Sequence, residues 1–150
     1  MSIKKWNNDL GISLNTLLGL SLLGVPRVIL HDLSFIKEGS LTNNLFVFVP
    51  IIIWISYIIW RNVKRPFLSL VVIGLFYGIF LAITHQIFWD TAFNTSIQLG
   101  GNLSSLSPLI SSMIIRVFAF FSSLTTGILV GVISGAVASM IYFLKRVRKK

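Results

Sequence analysis

Apolar residues dominate four stretches of this chain, at positions 10–30, 44–60, 67–89 and 108–144, and short polar gaps separate them. About 20 apolar residues in a helix cross a hydrocarbon core about 30 Å thick. The first stretch is uncharged until Arg27, and Pro26 is expected to kink its last turn. The second is short, and Pro50 removes a backbone donor near its start, a loss that a neighbouring helix or a hydroxyl must offset in lipid. A basic turn, Arg61-Asn62-Val63-Lys64-Arg65, leads to Pro66, which suits the first turn of the third helix. The third stretch carries no charge at all.

The last stretch reads as one continuous helix about 55 Å long, too long for the core. Its spanning part is placed at residues 117–144, with 108–116 in the outer interface and 145–150 as a charged tail. The pattern predicts an all-α, polytopic transmembrane bundle: a single domain of four spans (10–30, 44–60, 67–89, 117–144) with outer loops at 32–43 and 90–107.

Composition agrees. Of 150 residues, 55% are hydrophobic and only 11% charged, against about 25% charged in soluble domains. A soluble globule of this size buries only about two-thirds of its chain surface and could not hide so much apolar area. The N-terminal segment, with Lys4 and Lys5 before an apolar run, looks like a signal peptide. Gly24-Val25-Pro26-Arg27 is a poor cleavage site, so a retained first span is expected.

The net charge of +9 changes the picture only through its placement. The basic residues cluster at the ends of apolar runs, not along a polar face with interleaved aromatics, which argues against nucleic acid. They read as topology signals and as contacts to anionic lipid. Lys4, Lys5, Arg61, Lys64, Arg65, Lys145, Arg146, Arg148, Lys149 and Lys150 fall on one side, and Lys37 alone lies in a loop on the other. Both termini are therefore expected in the cytoplasm, in a cell (inner or plasma) membrane. Trp6, Trp60 and Tyr142 are expected at the inner interface and Trp89 at the outer one.

Small residues form two stripes. Gly74, Gly78 and Ala82 are each four apart, as are Gly127, Gly131 and Gly135; four steps drift only about 40° around a helix. Such stripes allow close backbone approach in lipid. Packing within the chain ranks ahead of a homo-oligomer seam or a contact with another membrane subunit.

Polar residues in spans are functional candidates by default, and here they gather at one level. Arg27, His31 and Asp32 close the first span; His85, Gln86 and Asp90 close the third; Arg116 opens the fourth. His85 lies eleven residues after Gly74 and Arg116 eleven before Gly127, so each returns to within about 20° of its glycine. A polar site between spans one, three and four follows, open to the outside.

Three uses of that site compete. Pairs such as Arg27 with Asp90, or Arg116 with Asp32, would lock helix ends in a non-enzymatic accessory or scaffold subunit. A wet cavity of His, Asp and Arg would bind ions or pass protons in a small transporter or channel. His31, His85, Asp32 and Asp90 would hold a divalent metal in a hydrolytic membrane enzyme, although their spacing is not dedicated and the arginines repel a cation. The three rank in that order, and no cofactor is predicted.

The chain has no cysteine, hence no disulfide, thiolate metal site or Cys nucleophile. P-loop, dinucleotide and nucleophile-elbow motifs are absent. Asn94-Thr95-Ser96 and Asn102-Leu103-Ser104 match glycosylation acceptors, a short pattern that chance supplies. Trp54 and Tyr57, inside the second span, read as core packing before ligand stacking.

Overall fold

The structure is a computed structural model, and it describes residues 9–92 and 99–148. Lys4, Lys5, Trp6, the Asn94 acceptor, Lys149 and Lys150 lie outside the described residues. Among the described residues six complete α-helices follow in order: α1 (Leu14–Leu22), α2 (Val25–Asp32), α3 (Leu41–Trp60), α4 (Pro66–Ile87), α5 (Trp89–Ala92) and α6 (Pro108–Val147), with a 3₁₀ turn at Gly101–Leu103 before α6. No strand occurs among the described residues. Among the described residues four helical units are long and apolar enough to cross a membrane: α1 with α2, then α3, α4 and α6. The chain is thus a multi-pass helical bundle. Leu41 is 77% exposed, Phe118 71% and Leu109 72%, a surface suited to lipid rather than water.

Local chemistry sets the helix ends. The Ser13 hydroxyl accepts from the Thr16 N–H at 3.2 Å and caps α1. Ser40 does the same for Asn43 at 3.2 Å, so α3 begins at Leu41, three residues before the expected start of the second span. The cap draws Thr42 and Asn43 into the helix. Pro66 and Pro108 occupy the first turns of α4 and α6, where their missing N–H costs nothing. α4 ends at Ile87, and Trp89 belongs to the separate single turn α5. Lys145 and Arg146, at the start of the charged tail, lie in the last turn of α6.

The first span departs furthest from expectation. Pro26 does not kink a last turn: it stands at the start of α2, and the break falls at Leu23 and Gly24, near the middle of the span. Proline has no N–H for the Leu22 carbonyl, and its ring crowds that carbonyl, so α1 stops there. Other helices complete the bonding at the break. The Trp54 indole N–H donates to the Leu20 carbonyl at 2.7 Å. The Ser21 hydroxyl reaches the Leu17 carbonyl at 2.7 Å and the Ile73 carbonyl at 3.0 Å. Trp54 stacks edge-on against Tyr77, with ring centroids 5.5 Å apart. Gly24, Pro50, Trp54 and Tyr77 also line a cavity of about 30 Å³.

α4 and α6 are antiparallel and form the most extensive helix pair. A Cβ on Gly74 would meet the Gly127 carbonyl and, at 2.7 Å, Gly131 Cα; one on Gly127 would meet the Gly74 carbonyl and, at 2.5 Å, Gly78 Cα. Gly135 lies against the Phe67 backbone, and Ala82 is fully buried. The two small-residue stripes therefore face each other inside one chain. Leu17, Trp54, Ile58, Leu70, Ile73 and Ala138 fill the core beside this seam.

The spans alternate in direction. At one end Gly11 packs against Lys64 and the Tyr142 hydroxyl donates to the Ile58 carbonyl at 2.9 Å. The described chain begins and ends there, and Arg61, Lys64, Arg65, Lys145, Arg146 and Arg148 make it the basic end. Asp32, His85 and Arg116 lie at the opposite, polar end.

Candidate functional site

Asp32 is the centre of the polar end. It is the last residue of α2 and only 3% exposed. Its Oδ2 lies 2.8 Å from His85 Nδ1 on α4, and its Oδ1 lies 3.5 Å from His31 Nδ1. In the tautomer that carries its proton on Nδ1, His85 donates to the carboxylate and leaves Nε2 as the imidazole's other nitrogen. The bond ties the second half of the broken span to the end of α4.

A second group lies one residue along. The Gln86 side-chain amide donates to the Arg116 carbonyl at 3.1 Å, joining α4 to α6. The Arg116 guanidinium donates to Asp90 Oδ1 at 3.2 Å and sits 4.9 Å from the centroid of the Trp89 ring. Trp89 is buried, at 7% exposure, beneath that cation. Asp90 is 94% exposed, so its pairing with Arg116 is a surface contact of small value. The depression lined by Gln86, Arg116, Val117, Phe120 and Phe121 is broad and open, and its wall is largely aromatic and aliphatic.

Arg27 forms the third link. Its Nε donates to Asn43 Oδ1 at 2.9 Å, and Asn43 is 5% exposed at the start of α3. The second span, left out of the expected site, thus contributes a member. The signal for Asn43 was an amide beside an apolar run, at a position assigned to the loop.

All seven predicted residues lie at one end of the bundle, but the partners differ from those expected. Arg27 bonds Asn43 and not Asp90; Arg116 pairs with Asp90 and not Asp32. Depth and helical phase are readable from spacing, whereas partner choice depends on the azimuth of each helix about its neighbours. The metal set is not assembled: Asp90 belongs to the Arg116 group, and no cluster of three or more His, Asp or Glu able to hold a metal occurs among the described residues. Trp54 and Tyr57 pack internally, Tyr57 edge-on to Trp60 at 6.2 Å.

The arrangement can fix helix ends by charge-assisted hydrogen bonds, each worth about 1.5–3 kcal/mol when shielded from water. Arg27, Asp32, Gln86 and Arg116 each bond a partner on another helix. No protein-family model, curated protein or solved structure matches the chain.

Proposed function

We propose that this chain is a non-enzymatic component of a cell membrane, an accessory or scaffold subunit, with its basic end and both termini in the cytoplasm. The observation that carries the reading is Asp32: a carboxylate only 3% exposed, spent on two histidines that belong to the bundle itself. A carboxylate serving ions in transit would need an approach from water; this one is withdrawn from it. The Arg27 with Asn43 and Gln86 with Arg116 bonds act in the same way, each joining two spans. The orientation is supported by the concentration of lysine and arginine at one end, which favours the cytoplasmic face.

Reconstitution tests the role. Vesicles containing the purified protein are expected to leak protons and small anions no faster than protein-free vesicles. His85→Ala is expected to destabilise the protein in detergent by about 2–3 kcal/mol, because it strips the main partner from a buried carboxylate. Flux through the wild-type protein that a folded His85→Gln variant abolishes would replace the structural role with transport.

A further inference from the structure

The basic end is a second site, distinct from the polar cluster. Arg61 and Arg65 flank the turn between α3 and α4, while Lys145, Arg146 and Arg148 occupy the last turn and cap of α6. These groups are far apart in sequence, and the bond from the Tyr142 hydroxyl to the Ile58 carbonyl brings them level. Arg61 follows Ile58 by three residues and Lys145 follows Tyr142 by three, so each stands about one turn past the same bond. α3 and α6 run parallel, and both exit at this end.

All five side chains are exposed, and none is in an ion pair with another described residue. Asp9, also exposed, is the acid that the described chain carries near them. Trp60 is 73% exposed, and the Arg61 guanidinium lies 5.7 Å from the centre of its ring. Phe143 and Leu144, 66% and 53% exposed, continue directly from the basic turn toward the bundle. Going outward, the surface passes from exposed apolar residues, through an amphipathic indole, to exposed guanidinium and ammonium groups. This is the order of layers in one leaflet of a phospholipid bilayer, and the anions at the depth of the cations are lipid phosphates.

We propose that the basic end is a binding site for anionic phospholipid. Arg61, Arg65, Lys145, Arg146 and Arg148 hold the phosphodiester and acidic headgroup, Trp60 sits at the glycerol level, and Phe143 and Leu144 contact the acyl chains. Guanidinium groups suit the phosphate because they present paired donors to two of its oxygens. The two elements form a cradle that neither would make alone.

The test uses the full chain in vesicles of phosphatidylcholine, with a spin-labelled phosphatidylglycerol or phosphatidylcholine probe, read as the motionally restricted lipid fraction. Phosphatidylglycerol is expected to be preferred about fivefold, the equivalent of one basic contact near the surface at about 1 kcal/mol. Raising the salt to the molar range is expected to shrink that preference. Arg61→Gln with Arg65→Gln, which leaves the α6 end intact, should lower it at least twofold, and glutamine at all five positions should abolish it. His85→Gln, at the opposite end, should leave it unchanged. Equal restriction of the two probes, or an unchanged preference in the Arg61→Gln, Arg65→Gln variant, overturns the proposal. Displacement of the anionic probe by millimolar inorganic phosphate would show a site for the free anion and would overturn the assignment to lipid.

Discussion

Gly24 and Trp54 carry the break in the first span. A Cβ on Gly24 would collide with the Tyr77 ring, although its backbone, at φ −84°, suits any residue. The constraint is therefore steric, set by another helix, and not conformational. Gly24→Ala is expected to cost about 1–3 kcal/mol as an overpacked site, and Tyr77→Leu in the same chain should recover part of it. Trp54→Phe keeps an aromatic ring, though a smaller one, and removes the donor to the Leu20 carbonyl; it should cost about 1–3 kcal/mol. Denaturation of the purified variants in detergent measures all three. A Gly24→Ala protein as stable as wild type would mean that the ring has room to move.

At the scale of elements, the pairing of α4 with α6 depends on missing side chains. Backbone meets backbone at Gly74, Gly127 and Gly131, so dispersion contacts accumulate where lipid supplies no hydrophobic drive. A leucine at Gly74 has no flexible neighbour to displace, only the Gly127 and Gly131 main chain. Gly74→Leu is expected to separate the helices and to cost more than about 2 kcal/mol or prevent folding. Gly19, in α1, has open space around its Cβ position. Gly19→Ala should be neutral or stabilising by up to about 1 kcal/mol. Thermal unfolding of the two variants side by side separates a specific seam from a general intolerance of larger residues: equal losses would argue against the seam.

At the scale of the whole molecule, α4 and α6 differ in length. The 22 residues of α4 reach about 33 Å and the 40 of α6 about 60 Å. α6 matches α4 from Gly135 opposite Phe67 to Arg116 opposite Gln86; it therefore overhangs at both ends. The basic overhang carries Lys145, Arg146 and Arg148, and the other carries Leu109 and Met113 beyond the polar cluster. The proposed orientation is checked by labelling, for which a cysteine-free chain is a ready background. In intact cells a membrane-impermeant maleimide should modify Glu38→Cys, and Lys64→Cys only after permeabilisation. The reverse pattern would invert the molecule.

Pattern alone made the medium and the layout legible. Four apolar runs of spanning length need only local counting, because a helix in hydrocarbon must satisfy its own backbone. The depth of His85 and Arg116, and the existence of the glycine stripes, follow from helical periodicity in the same way. Other features were out of reach because they depend on contacts between residues far apart in the chain. The start of α3 turned on one hydroxyl at Ser40. The break at Leu23 and Gly24 took its final form from Trp54 and Tyr77, donors and bulk supplied by other helices. Asp32 and its partner His85 share an end of the bundle by spacing, yet they lie 53 residues apart, and their contact is made only by the packing of α2 against α4. Spacing along a chain reports which residues share a depth and a face; which of them touch is settled only when the helices pack, because rotation and tilt about each axis are properties of the assembled bundle.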